Sequence, residues 1–283
     1  MKAAPKVTAI IPCYNAEKFI RDSIQSVLDQ SFQDFELLVL NDGSKDSSEK
    51  LIRAFADPRV QLLSKPNSGV ADTRNQGISR ARGEYVAFLD ADDLYLSENL
   101  AQKVRFLDEN PEHGLVHSEV YFLEQDGSLR PRGLRNCQGS VLKPLLEFRT
   151  MVNSPSSAVI RRELLERVGG FDIRLSTSAD RDLWIRLAAV TKFGFLGDPL
   201  VKYRLHPGQM HHNIDAMEAD LKVIYEKARE QKLFESPGHY QRCRAKAEKV
   251  IGASYLRHTW KLHKAAKHFL NAGIHGALGL LSG

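Results

Sequence analysis

The sequence predicts an α/β fold in which a mainly parallel sheet is flanked by helices, followed by a helical C-terminal extension. Three observations lead there. Short apolar runs alternate with segments whose apolar residues recur at helical spacing. The runs are apolar at successive positions, as strands covered on both faces must be. The turn-forming and charged residues collect immediately after the runs, where open α/β sheets bind their ligands.

VTAIIP (Val7 to Pro12) reads as the first strand, and from Ala16 to Gln30 the residues Phe19, Ile20, Ile24, Val27 and Leu28 mark one face of a helix. FELLVL (Phe35 to Leu40) is the second strand; NDGS ends it and a helix from Ser47 to Ala56 follows. VQLLS (Val60 to Ser64) is the third, and GVADTRNQGISRA after KPNSG is a short helix. YVAFL (Tyr85 to Leu89) is the fourth, with a helix from Ser97 to Asn110 behind it that carries Leu100, Val104 and Leu107. Beyond Leu115 the pattern loosens. VHSEVYFLEQDGSLR reads as a strand pair closed by QDGS, and NSPSSAVI (Asn153 to Ile160) as a strand leading into the helix RRELLERVGGF, stopped by Gly169 and Gly170. A further helix runs from Ala179 to Val190, and VKYRLHPGQ (Val201 to Gln209) closes the region. From Asp215 onward the chain reads as helical, interrupted at Ser236 to Gly238, so a boundary near Asn213 divides residues 1–213 from 214–283.

Composition excludes several classes. With 283 residues and 42% hydrophobic content the chain is globular, one large domain with an appendage. Cys13, Cys137 and Cys243 are odd in number and far apart, with no CxxC, which argues against a disulfide framework or a cysteine zinc site and for a reducing compartment. The run Val7 to Ile11 is shorter than the ~7–15 residues of a signal-peptide core, and no segment approaches the ~18 apolar residues of a membrane span. A cytoplasmic protein is expected, at the inner face of the membrane if it binds lipid. The net charge of +5 and pI near 9.0 call for an acidic partner, such as ligand phosphates or anionic lipid. No GxxxxGK[ST], GxGxxG or HExxH is present.

The chemistry concentrates in FLDADD, where Asp90, Asp92 and Asp93 place three carboxylates within four positions. Such a cluster is either a solvated turn that caps the next helix or a site for a hard cation with open positions for phosphate oxygens, which suits magnesium or manganese. The other strand ends offer Tyr14 as an aromatic face after Pro12, Asp42 as an acceptor for a base N–H, and Arg74 as a planar cation. Taken singly, these are an edge-packed aromatic, an Asx-turn residue and a surface cation. Their occurrence together at four strand ends favours a nucleotide site.

PCYNAEKFI, NDGSKDSS, ADTRNQGISRARGEYVAFLDADD and SADRDLWIRL, in that order, resemble the inverting glycosyltransferases of family 2, which have the GT-A fold. The resemblance covers Val7 to about His211. It implies a metal-dependent, non-processive transfer from a nucleotide-diphosphate sugar, UDP-linked, to a saccharide or lipid-linked acceptor in cell-surface polysaccharide, lipopolysaccharide or glycolipid synthesis. By it Tyr14 stacks on the base, Asp42 binds it, Arg74 lies near the nucleotide, Asp90 touches the ribose or sugar, and Asp93 supports the site. Asp92 ligates Mn²⁺ or Mg²⁺, with His206 as a further ligand and Arg204 as a weaker candidate nearby. The acidic pair that supplies the base in the family corresponds here to Ala179-Asp180, so Asp180 is the expected base, with Asp182 as its rival and Trp184 lining the acceptor site. The alternative for both aspartates is simple favourable placement at a helix N-terminus.

Two other readings stand beside this one: a sugar nucleotidyltransferase, for which PCYN lacks the glycine-rich phosphate loop, and a catalytically silent nucleotide-sugar module, for which Ala179 speaks. In the extension, Lys246, Lys249, Arg257, Lys261, Lys264 and Lys267 interleave with Tyr255, Leu256, Trp260 and Leu262. They form either a solvated face on helices packed against the domain or a hairpin lying on anionic membrane. Nucleic acid is not expected, since no binding module accompanies the charge. His258, His263 and His268 recur at i+5, about 140° apart on a helix, and cannot form one metal face.

Overall fold

The computed structural model describes residues 4–134, 137–206, 213–259 and 261–281. Its sheet begins as four parallel strands, β1 (Val7–Cys13), β2 (Phe35–Asn41), β3 (Val60–Ser64) and β4 (Tyr85–Phe88), in the order β3-β2-β1-β4. Helices α1 (Ile20–Leu28), α2 (Ser48–Arg53) and α3 (Val70–Arg80) make the crossovers. The sheet then continues through β8 (Ala158–Arg161), antiparallel to β4, to β6 (His113–Leu123), β9 (Lys192–Arg204) and the short β5 (Leu94–Tyr95), while β7 (Leu129–Pro131) folds back on β6.

Strand residues alternate between two cores, which explains their unbroken apolar runs. Ile10, Leu38, Leu40, Val86 and Phe88 face Ile78 of α3, Leu165 of α6 (Arg162–Val168) and Leu183 of α7 (Ala179–Ala188). Ala9, Ile11, Leu37, Val39 and Ala87 face Ile20, Ile24 and Val27 of α1 and Leu100, Val104 and Leu107 of α4 (Asn99–Glu109). The helices α8 (Ile214–Glu230) and α9 (Pro237–His258) enter the first of these cores through Leu221, Ile224, Tyr225, Cys243, Ile251 and Tyr255. Helix α8 starts behind its Asn213 cap, whose Oδ1 accepts the Ala216 N–H at 3.1 Å, and the helices beyond Asn213 share the core of the preceding residues. Helix α10 (Leu262–Leu281) lies along α9, with Ala265 and Ala272 buried and His268 held between Glu248 and Glu218. Ser236 caps α9 through the His239 N–H and Pro237 follows it, as the SPG interruption implied.

Several elements differ from the sequence expectation. Helix α1 starts at Ile20 rather than Ala16 because the preceding N–H groups are taken by side chains of the next strand end. NSPSSAVI is a strand only from Ala158; Pro155–Ser157 form a single 3₁₀ turn closed by a capping box between Ser154 and Ser157. The VKYR of the closing segment is the end of a strand, β9, that begins at Lys192, and Gly197 and Pro199 are absorbed where its register with β6 shifts. Residues 207–209 and Trp260 lie outside the described residues. The three cysteines are buried and unpaired with one another.

Where α3 returns to β4, Gly83 is enclosed by backbone. Its N–H donates to Thr8 Oγ1 at 2.9 Å, Thr8 Oγ1 donates to buried Glu36 at 2.8 Å, and Arg82 closes on Glu36. A Cβ at Gly83 would lie 2.5 Å from Thr8 N and 2.9 Å from Tyr85 O. Gly83→Ala is therefore expected to cost about 2–3 kcal/mol by overpacking, read as a lowered midpoint of urea unfolding with unchanged slope.

Candidate functional site

Because β1, β2 and β3 pair in parallel with Cys13 opposite Asn41 and Asn41 opposite Ser64, their following loops emerge at one edge of the sheet. The first two loops are stitched together. Asn15, at φ 50°, donates its N–H to Ser44 Oγ at 3.0 Å and accepts the Lys45 N–H at 2.8 Å, while Ala16 N–H donates to Ser48 Oγ at 2.9 Å and Glu17 N–H to Asp46 at 3.0 Å. This leaves Tyr14 49% exposed beside buried Pro12, an open aromatic face at the strand end. Asp42 is more occupied than its sequence position implied. Its carboxylate accepts the N–H groups of Ser68 (2.9 Å) and Gly69 (3.0 Å) and pairs with Lys65, so it also holds the KPNSG loop in place.

The acidic corner stands at the end of β4. Asp90 pairs with Arg74 of α3, whose guanidinium lies over the Phe171 ring at 5.2 Å and whose Nε has no hydrogen-bond partner among the described residues. Asp93 is 1% exposed; Ser156 Oγ donates to it at 2.6 Å and Arg204 N–H at 3.1 Å. Asp92 meets His206 Nε2 at 2.7 Å, and its carbonyl accepts from Arg204 Nε at 2.9 Å. Ser23 of α1 anchors the turn by donating to the carbonyls of Ala91 (2.8 Å) and Asp93 (2.9 Å). Burial, followed by the charge of Asp90, raises the Asp92 pKa; burial, then the charges of Asp92 and Asp90, raises that of Asp93 well above the ordinary carboxylate range.

These residues fit a divalent cation. The carboxylates destabilise one another, and Asp92 with His206 offers one oxygen and one nitrogen, leaving the remaining positions for phosphate oxygens and water. Among the described residues no group of three or more His, Cys, Asp and Glu side chains is arranged to hold a metal ion by itself, so the protein would supply only part of the coordination shell.

Asp180 sits in the first turn of α7, half-buried, accepting among the described residues only the Arg181 N–H at 2.8 Å. Burial raises its pKa, and the charge of Asp90 adds to the rise while Arg181 and Arg74 oppose it, so Asp180 is within electrostatic reach of the acidic corner. Asp182 is placed differently. It is 3% exposed and locked between Arg186 (2.7 Å) and Lys227 (2.9 Å). Trp184, expected at the acceptor site, lies in the core at 3% exposure, because its position on α7 faces inward with Leu183 and Leu187. Ala179 is likewise buried there.

The sequence reading missed two residues. Ser156 ties the Asp90 backbone to the Asp93 carboxylate, accepting the Asp90 N–H at 3.0 Å while donating to Asp93. The 3₁₀ turn that aims it was legible in the Ser-Pro-x-Ser spacing. Tyr203 is the other: burial, then the charges of Asp93, Asp90, Asp92 and Asp180, raise its phenol pKa, which puts the ring within electrostatic reach of the four acids. The arrangement can hold a cation, present an aromatic face and two cations to an anionic ligand, and offer a carboxylate base.

A protein-family model described as Glycosyl transferase family 2 matches residues 8–169, more than half of the chain. An uncharacterized glycosyltransferase of Rickettsia typhi is 29% identical over 218 residues, 73% of this chain and 66% of its own. One from Rickettsia bellii is 31% identical over 202 residues, 71% of this chain but 29% of its own, so this chain spans only part of the length of such relatives. Among solved structures, S. aureus TarS residues 1–349 in complex with UDP-GlcNAc superimposes with a TM-score of 0.61 at 20% identity, covering 95% of this chain and 72% of that one. The mannosyltransferase PcManGT from Pyrobaculum calidifontis, in complex with GDP-Man and Mn²⁺, gives 0.64 at 22% identity, covering 97% and 88%. At those identities the structures establish a shared GT-A-like fold. The family match over β1 to α6 shows that the chain belongs to glycosyl transferase family 2.

Proposed function

We propose that the chain transfers a sugar from a nucleotide-diphosphate donor, UDP-linked, to an acceptor hydroxyl with inversion, in single additions and with Mn²⁺ or Mg²⁺. The observation that carries this reading is the acidic corner beside a separate carboxylate of raised pKa, Asp180. Tyr14 stacks on the base, and Arg74 faces the anionic ligand with its uncommitted Nε. Asp92 and His206 would hold a divalent cation, which would supply charge compensation for the departing diphosphate. Asp180 accepts the proton of the acceptor hydroxyl as that oxygen attacks the face opposite the leaving group. Buried Ala179 explains how one carboxylate can suffice, since that position points into the core.

Lipid-surface contact through the C-terminal hairpin extends the proposal to a lipid-linked acceptor in cell-envelope glycan or glycolipid synthesis. Among the described residues no helix is long and apolar enough to cross a membrane. Helix α10 nonetheless turns Leu262, Phe269, Leu270 and Ile274 outward, and α9 likewise exposes Val250 and Leu256. Residues 237–281 contain eight Lys and Arg against one acid, Glu248. Lys261 and Lys264 pair with Asp215, whereas Lys249, Arg257 and Lys267 have no acidic partner among the described residues. Exposed apolar area bordered by uncommitted cations suits an anionic bilayer.

Calorimetric titration of UDP, GDP and their sugars with Mn²⁺ is expected to show metal-dependent binding of one nucleotide, lost with EDTA and weakened at least about tenfold by Asp92→Asn. Absence of binding by every nucleotide would withdraw the catalytic assignment. Asp180→Asn should lower kcat by roughly 10²–10⁴ while leaving nucleotide affinity unchanged. The deprotonated carboxylate is the active form, so activity should fall as pH drops through a pKa above the ordinary ~4 of an aspartate, and this limb should vanish in the variant. Binding of UDP without turnover on any acceptor, water included, would favour the silent module. The protein should bind phosphatidylglycerol but not phosphatidylcholine vesicles, and Lys249→Glu with Arg257→Glu should weaken binding at least about tenfold; no vesicle binding at all ends the membrane proposal.

A further inference from the structure

We propose that Asp220 of α8 is a positioning residue for Asp180, which makes the C-terminal helices part of the catalytic apparatus. The inference rests on the glycosyltransferase reading above. It begins from what Asp180 lacks: the Arg181 N–H is the only hydrogen bond on its carboxylate, and no other side chain fixes it among the described residues. Its position is inherited from the backbone of α7.

That backbone is held from outside. Ser178, the N-cap of α7, makes no side-chain cap. Three consecutive N–H groups before the helix instead converge on Asp220, which is 5% exposed: Ser176 at 3.1 Å, Thr177 at 2.8 Å and Ser178 at 2.9 Å from Oδ2. Ser176 N–H also reaches Oδ1 at 3.2 Å, and the hydroxyls of Ser176 (3.4 Å) and Thr177 (3.2 Å) add to Oδ2. Successive N–H groups around one carboxylate form an anion nest, and the negative charge sits at the positive end of the ten-residue α7. Two helical turns along α8, Lys227 bridges Asp172 (2.8 Å) and Asp182 (2.9 Å). Arg186 ties the same Asp182 to the carbonyls of Val168 and Gly170, both at 2.6 Å. Helix α8 thus grips the segment 172–182 at both ends, with Asp180 between the grips. Removing Asp220 leaves three N–H groups, that of Ser178 buried, without their acceptor and frees the start of the helix.

The test compares Asp220→Ala and Asp220→Asn in the full chain. Misplacing the base should lower kcat on the order of 10²-fold for Asp220→Ala, and less for the carboxamide, which keeps one acceptor oxygen. Donor KM and UDP affinity should change less than about twofold, since the nucleotide side is not touched. In an Asp180→Asn background, Asp220→Ala should cost less than about threefold, because it acts through the missing base. Amide exchange at residues 176–182 should accelerate in both variants. An unchanged kcat per folded molecule, or a full loss repeated in the Asp180→Asn background, overturns the proposal. If Asp220→Ala does not fold, Asp220→Asn carries the same comparisons. If the unaltered protein turns over no donor, the glycosyltransferase reading fails by itself; exchange at the Asp180 amide then decides, its acceleration supporting the positioning role and retained protection overturning it.

Discussion

Three carboxylates crowded at the end of β4 repel one another, and much of the surrounding structure is arranged to hold them together. Arg74 from α3 compensates Asp90, Ser156 from the 3₁₀ turn bridges Asp90 and Asp93, and the end of β9 supplies the Arg204 N–H to Asp93 and His206 to Asp92. Ser23 of α1 holds the turn itself. Elements from residues 23 to 206 thus converge on four positions of sequence. Each must be in register for the corner to exist, and burial first, then the neighbouring carboxylate charges, raises the pKa values of Asp92 and Asp93. A cluster left short of positive charge within a folded protein is poised for a cation.

The second feature of the architecture is how far the C-terminal helices reach into the catalytic domain. Helices α8 and α9 complete the core on one face of the sheet, where Leu221, Ile224 and Tyr255 join Leu183 and Trp184. The polar residues of α8 continue that role. Asp220 and Lys227 meet the segment around α7 with buried, charge-assisted hydrogen bonds, which are among the stronger contacts available to a protein. The outer helix α10 is built the other way round, with small residues inward and several large apolar residues outward. One end of the extension is thereby committed to the site and the other to the surface.

Asp180 and Asp182 show why neighbouring acids of one helix differ in character. Two residues apart on α7, they lie about 200° apart around the axis, so one faces the cleft and the other the junction with α8. Asp182 finds Arg186 and Lys227 there, whereas Asp180 finds no cationic partner within hydrogen-bonding distance among the described residues and is made more basic by burial. Trp184, one helical turn on from Asp180 and about 40° from it around the axis, is nonetheless buried in the core.

Much of this was legible in the sequence. Alternation of apolar runs and helical periodicity specified the parallel half of the sheet, since each strand there is covered on both faces. The turn residues PCYN, NDGS, KPNSG and DADD specified that one edge would carry the polar groups, because parallel strands joined by crossover helices must end together. The family resemblance carried by those motifs was likewise local. Tertiary structure decided the rest. No periodicity could show that Asp42 would be occupied by Lys65 and the KPNSG loop, that Ser156 would join Asp90 to Asp93 across 66 and 63 positions, or that Asp220 would close on residues 42 to 44 positions away. Periodicity and turn chemistry act over a few neighbouring residues, whereas the partner of a buried charge is whichever group the completed fold brings within hydrogen-bonding distance.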